Sequence, residues 1–185
     1  TVYSLNGTAA VNAHHVTITD AVYTFDLHLN GKTISQLTLG IPGWHNVENA
    51  VVASAVVLQM GVSEENLRKG LATFRGAKRR FEYILRKENI TYIDDYAHHP
   101  EEIKAFLSSV KEMYPDKKVT AVFQPHLFTR TRDFADGFAQ SLSLADELIL
   151  LDLYPARELP IPGVTSQMLL ARATLKNKIL CSKAE

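Results

Sequence analysis

From Pro100 onward the chain alternates short apolar runs with helix-length segments, and this alternation constrains the fold more than any other feature. Residues 100–113 read as a helix, with Pro100 at a first helical position and Glu101 and Glu102 behind it. Val119–Phe123 reads as a strand, residues 131–143 as a helix and Glu147–Leu153 as a strand. A helix capped by Thr165 or Ser166 then runs to near Thr174, and Lys178–Leu180 begins another strand. Strands separated by helices pair in parallel through right-handed crossovers, so this half predicts an α/β fold with a mostly parallel sheet.

The first part of the chain has a different texture. Residues 1–40 read as strands, with alternating patches such as Tyr23-Thr24-Phe25-Asp26-Leu27-His28-Leu29. Asn30-Gly31 marks a two-residue hairpin into a strand from Lys32 to Leu39. Such an antiparallel patch needs a covering layer. Pro42-Gly43 breaks the chain, and residues 46–60 then form a helix whose small side chains suit close packing. Gly61 ends it. Ser63 caps a second helix, with Glu64 and Glu65 favouring its positive end, and Gly76 stops the chain beyond Phe74. Phe81–Arg86 and Ile90–Asp94 read as a hairpin turning at Glu88-Asn89. The texture places a domain boundary near Gly76, giving residues 1–76 and 77–185.

Composition narrows the function classes. Twenty basic and 20 acidic residues leave a net charge of zero, which gives no reason to expect nucleic acid or an anionic membrane surface as partner. No apolar run approaches the roughly 18 residues of a membrane helix. A single cysteine, Cys181, excludes an internal disulfide framework and fits a reducing, cytoplasmic compartment. The N-x-S/T matches at Asn6 and Asn89 carry no meaning there.

In an open parallel sheet, ligands bind beyond the carboxyl ends of the strands. Three segments rich in charged and aromatic residues are expected there: Asp94-Asp95-Tyr96-Ala97-His98-His99-Pro100, Gln124-Pro125-His126-Leu127-Phe128-Thr129-Arg130-Thr131-Arg132-Asp133, and Asp152-Leu153-Tyr154-Pro155-Ala156-Arg157-Glu158. Asp94 and Asp95 also read as a solvated strand end, and His98 and His99 as a cap and a surface ring. The adjacent histidines also suggest a metal site with Asp94 and His126, the rival reading of a metallohydrolase, but neither zinc spacing nor a helical i, i+4 pair is present, so no metal ligands are assigned. Arg130 and Arg132 fall at the start of the expected helix 131–143, where cations oppose the dipole, which predicts an anionic partner held by a guanidinium fork. Upstream, His45, Asn46 and Asn49 share one helix face. Asparagine amides both donate and accept, as an adenine edge requires, although capping asparagines are the plainer account. Lys78-Arg79-Arg80 reads by itself as a solvated basic linker.

Together these pieces resemble the Mur ligases, the enzymes that build the peptide of the peptidoglycan precursor. The resemblance is carried by Gly43-x-His45-Asn46-x-x-Asn49-Ala50, by Phe74-x-Gly76-x-Lys78-Arg79-Arg80-Phe81-Glu82, and by Asp94-Asp95-Tyr96-Ala97-His98-His99-Pro100. Within the family, Phe123-Gln124-Pro125-His126 with Thr129-Arg130-Thr131-Arg132-Asp133, and Pro160-Ile161-Pro162-Gly163-Val164-Thr165-Ser166, are similar to the member that joins L-alanine to UDP-N-acetylmuramate.

The resemblance implies a Rossmann-like carboxy-terminal domain that receives the amino acid, preceded by the strand-and-helix tail of a central ATPase domain. It implies ATP and Mg2+ as cofactors, UDP-N-acetylmuramate and L-alanine as partners, and an acyl-phosphate intermediate. His45, Asn46 and Asn49 would face adenine, Arg80 the phosphates and Asp95 the ribose. Tyr96, His126, Arg130 and Arg132 would border the amino acid, with His126 and Arg130 as the candidate catalytic pair. Leu127 departs from the pattern, standing where many relatives carry a second arginine. No G-x-x-x-x-G-K-[ST] loop occurs in these residues, so they are expected to be inactive alone, and an exposed sheet edge is expected to invite pairing of two copies. Rival expectations are a Mur-type ligase that recycles a wall peptide and a non-catalytic nucleotide- or amino-acid-binding module.

Overall fold

The computed structural model describes residues 3–4 and 9–182; the Asn6 motif and the last three residues lie outside them. The chain forms two compact units, one reaching to Asp95 and one from Tyr96 onward.

The first unit opens with a four-stranded sheet of order β1-β2-β3-β4, built from Tyr3–Ser4, Val11–Thr19, Val22–Leu29 and Lys32–Leu39. β1 runs parallel to β2, and the remaining pairs are antiparallel. Asn30 and Gly31 turn the β3–β4 hairpin with φ of 49° and 82°, the twist that matches flanking strands. Asp20 and Ala21 make the same kind of turn between β2 and β3 with φ of 51° and 60°, without a glycine to announce it. β2 and the β3–β4 ladder each carry a bulge, where His15 and Gln36 take positive φ.

Two helices cover this sheet: α1, Trp44–Gln59, and α2, Glu64–Thr73. Alternation along β3 sends Tyr23, Phe25 and Leu27 to the buried face, where they join Val11, Leu37, Val47, Val51 and Leu67 in the core. Ser63 Oγ accepts from Asn66 N at 3.3 Å and caps α2 as expected. The linker beyond α2 is tightly wound, with Gly76, Arg79 and Phe81 all at positive φ, and Phe81 buries its ring at 2% exposure. An antiparallel hairpin of β5, Glu82–Arg86, and β6, Thr91–Asp94, completes the unit. This is the hairpin expected from residues 81–94, but its second strand does not join the parallel sheet, so Asp94–Pro100 does not follow a strand of that sheet.

The second unit holds a parallel sheet of order β7-β8-β9, from Thr120–Phe123, Glu147–Leu151 and Asn177–Cys181. Between and before these strands run α3, Pro100–Met113, α4, Phe128–Asp133, α5, Ala135–Leu142, and α6, Ser166–Arg172. The helix expected over 131–143 is therefore two helices, broken at Phe134, whose φ of −114° and ψ of 20° leave the helical region. Ile103, Leu107, Phe138, Leu142, Leu148, Leu150 and Leu169 form one buried cluster in which the sheet's helix-facing side meets α3, α5 and α6. α3 and α5 approach closely because residue 137 is glycine: a Cβ there would lie 3.0 Å from Pro100.

Candidate functional site

Each unit carries one cluster of the residues singled out above.

In the first unit, Gly43 (φ 107°, ψ 137°) turns the chain into α1. A Cβ at Gly43 would lie 2.8 Å from Cε1 of His45, so the glycine makes room for the imidazole. His45 Nδ1 is buried and has no hydrogen-bond partner. Burial lowers the imidazole pKa, Asp95 opposes that shift, and Arg80 adds to it, so the ring is neutral at pH 7. His45, Arg80 and Asp95, far apart in sequence, thus lie close enough to feel one another's charge. Asn46 Nδ2 donates to Pro42 O at 2.6 Å, leaving its carbonyl oxygen as acceptor, and Asn49 is exposed on the same helix. Asp95 Oδ2 accepts from Phe81 N at 2.8 Å, which ties the basic linker to the end of β6. Arg79 Nε lies 3.2 Å from Asp94 Oδ2, so the linker is not simply solvated.

In the second unit, the carboxyl ends of β7 and β8 continue into two joined loops. Leu127 N donates to Tyr154 O at 3.0 Å, Tyr154 N to Pro125 O at 2.8 Å and Gln124 Nε2 to Asp152 O at 3.0 Å. The bridge aligns His126 with Tyr154, and their rings stack with centroids 5.5 Å apart and an interplanar angle of 18°. Leu127 holds φ 74°, an unusual value for a branched side chain, and from it α4 departs.

Arg130 and Arg132 lie in the last turn of α4 rather than at the start of a longer helix. The negative end of the dipole favours cations there, so the dipole argument for an anionic partner falls. Arg132 Nε instead pairs with Asp133 at 2.7 Å. Arg130 is partly exposed, one turn beyond His126.

The residues from Tyr96 to Pro100 organise the start of α3. Glu101 N donates to His99 Nδ1 at 3.4 Å, and the Glu102 carboxylate accepts from His98 N at 3.0 Å and His99 N at 3.1 Å. His98 Nδ1 is 2.9 Å from Tyr96 O, with the two rings 5.2 Å apart, and His99 meets the edge of Phe134 at 4.6 Å. The plainer reading of this pair, a cap and a surface ring, describes what they do here. Among the described residues no group of three or more His, Cys, Asp or Glu could hold a metal ion.

Sequence reasoning missed Tyr154 as the ring under His126, and Glu158, whose carboxylate binds the start of α4. No sequence signal pointed to Glu158, because the helix expected over 131–143 hid that a helix starting beside Leu127 needs an acceptor from elsewhere.

The parallel sheet with joined loops at its carboxyl edge places the second unit among the α/β proteins, and the first unit clusters His45, Arg80 and Asp95. Residues 79–183 match the Mur ligase, glutamate ligase domain, and the chain belongs to that family. It is 50% identical over 183 residues to the UDP-N-acetylmuramate–L-alanine ligase of Parabacteroides distasonis, covering 99% of this chain and 40% of that protein. The enzyme of the same name from Flavobacterium johnsoniae is 47% identical over 182 residues, with 98% and 40% covered. The crystal structure of UDP-N-acetylmuramate-alanine ligase from Thermotoga maritima superposes with a TM-score of 0.80 at 29% identity, covering 96% of this chain and 38% of that one. The chain thus spans about two fifths of the length of these relatives. No helix of the described residues is long and apolar enough to cross a membrane.

Proposed function

We propose that these residues are the carboxy-terminal part of a cytoplasmic ligase that joins L-alanine to UDP-N-acetylmuramate in peptidoglycan synthesis. The observation that carries this reading is the loop pair at the carboxyl ends of β7 and β8, where His126, stacked on Tyr154, stands one turn from Arg130. Half-identity to enzymes of that name, along nearly the whole chain, supports the same substrate. The start of the family match at residue 79 supports a domain boundary near Gly76, giving 1–76 and 77–185, whereas chain contacts keep the β5–β6 hairpin with the first unit.

ATP fits the first cluster. His45 carries a buried nitrogen without a partner, and the Asn46 and Asn49 amides offer donor and acceptor groups to an adenine edge. When bound, ATP would supply the phosphoryl group that activates the muramyl carboxylate. Arg80 would neutralise phosphate charge, and Asp95, fixed by Phe81 N, would accept from the ribose. Mg2+ is a cofactor of the whole enzyme in this reading, and such an ion is usually held by one or two carboxylates together with the phosphates of the nucleotide.

In the second unit, Arg130 would hold the amino-acid carboxylate, with Tyr96, His126 and Arg132 around it. Charge-assisted bonds of this kind contribute about 1.5–3 kcal/mol each. The work assigned to these side chains is orientation and charge neutralisation. His126 stands nearest in role to the attacking amine.

The test is a product-mass assay on the full-length protein with UDP-N-acetylmuramate, Mg-ATP and a mixture of amino acids and wall tripeptide. Addition of one alanine supports the reading. Addition of the tripeptide moves the peptide-recycling ligase ahead, and no addition leaves a binding module.

A further inference from the structure

α4, the helix that carries Arg130, has no N-terminal cap of its own. Its N-cap position is Leu127, which offers no side-chain acceptor and sits at φ 74°. Amides in the first turn of a helix lack intrahelical partners and need acceptors from elsewhere. Glu158, 29 residues on from Thr129, supplies them: Oε2 accepts from Thr129 N at 2.9 Å, and Oε1 accepts from Thr129 Oγ1. Hydrogen bonds from the Thr129 hydroxyl and amide, with the Arg132 charge as a minor contribution, hold the Glu158 carboxyl below its ordinary range, so it is ionised at neutral pH.

Glu158 is itself anchored. Its N–H donates to Pro155 O at 3.0 Å, closing a turn in which Ala156 takes φ 52°. The loop that presents it is the one joined to residues 125–127 through Tyr154. One carboxylate therefore ties the Tyr154–Glu158 loop to the residue immediately before Arg130.

We propose that Glu158 is a positioning residue of the amino-acid subsite. By capping α4 from the neighbouring loop, it fixes the direction in which Arg130 meets the carboxylate of the incoming amino acid. This role rests on the function proposed above. A guanidinium fork grips both oxygens of a carboxylate only within a narrow range of orientation. A displacement of about 1 Å at such a group costs on the order of a hundredfold in rate. Thr129 is the other half of the device, because its amide and hydroxyl lie on opposite arms of the same carboxylate.

The test is steady-state kinetics on the full-length enzyme, comparing wild type, E158A, E158Q and T129V, with thermal unfolding of each. E158A is expected to raise KM for L-alanine about tenfold while KM for ATP stays within about twofold. Glutamine keeps an acceptor for Thr129 N and can donate to its hydroxyl, so E158Q is expected to return KM to within about threefold of wild type. If E158A fails to fold, T129V removes one arm alone and is expected to raise KM for L-alanine about threefold. Amide exchange in residues 128–131 of the variants is expected to quicken, as a direct readout of the lost cap. An unchanged KM for L-alanine, or an equal rise in both KM values, overturns the role. A wild type that turns over no L-alanine overturns the function and this role together. A wild type that does so beside an unaffected E158A and T129V overturns this role alone.

Discussion

His15 Nδ1 lies 2.9 Å from Asp26 Oδ2, across the bulge in β2, while the other carboxylate oxygen of Asp26 accepts from Gln36 N at 2.8 Å in β4. One carboxylate on the central strand thus holds irregular residues on both of its neighbours, each at positive φ. These bonds, led by that from His15, keep the Asp26 carboxyl below its ordinary value of 3.8. A depressed carboxyl contributes stability that is present above its unfolded pKa and is lost as pH falls through the folded value. Wild type is therefore expected to lose stability between about pH 5 and pH 2 more steeply than Asp26→Asn, measured by urea unfolding across that range. At neutral pH, Asp26→Ala is expected to cost about 1–3 kcal/mol, since it leaves the Gln36 amide without its acceptor. Equal acid sensitivity in wild type and Asp26→Asn would contradict this account.

Gly43→Ala combines two penalties: φ of 107° and a Cβ 2.8 Å from the His45 ring. Backbone in such a region costs a residue with a side chain about 1–3 kcal/mol. The variant is expected to unfold at lower urea. In the full-length protein it is expected to bind nucleotide more weakly, because the displaced ring is one of the proposed adenine contacts. Calorimetric titration with a non-hydrolysable ATP analogue checks the second effect.

Arg130→Ala in the full-length enzyme is expected to raise KM for L-alanine between about tenfold and a hundredfold while leaving KM for ATP nearly unchanged, the size of one charge-assisted bond. Arg130→Lys, a point charge without the fork, is expected to recover only part of the loss. Initial-rate measurements with each substrate varied in turn decide it. Equal effects on both substrates would remove Arg130 from the amino-acid subsite.

Leu150 is fully buried on the middle strand of the parallel sheet. Leu150→Ala is expected to destabilise the chain by about 2–5 kcal/mol through the lost methyl groups and the cavity left among Leu148, Phe138 and Leu169. Denaturant unfolding followed by circular dichroism measures it.

Much of this architecture was readable before any coordinates, for physical reasons. Asn30-Gly31, Ser63 and Pro100 each act through their own local chemistry, and each lies where its chemistry requires. The β2–β3 turn was invisible because Asp20-Ala21 contains no glycine, and tertiary pairing alone drives both residues to positive φ. Phe134 fell inside the helix expected over 131–143, since neither glycine nor proline stands at or beside it to mark a break. Its ring instead turns to His99, and the helix breaks. That break moved Arg130 and Arg132 from the start of one helix to the end of another, reversing an electrostatic argument that depended on where the helix began. The His45, Arg80 and Asp95 cluster was anticipated through family resemblance. Sequence spacing could not have joined residues on a helix, a linker and a strand end.

The borrowed cap on α4 also bears on how the chain emerges from a ribosome. A six-residue helix is far below the length that holds together unaided in water. Both Glu158 and the Tyr154 carbonyl, which anchors Leu127, are synthesised well after it. During translation the segment bearing Arg130 therefore stays without fixed form until the β8 loop has left the exit tunnel. A stall or a rare-codon pause placed between residues 133 and 154 would hold the nascent chain with Arg130 unset, because the loop that caps its helix has not yet been made.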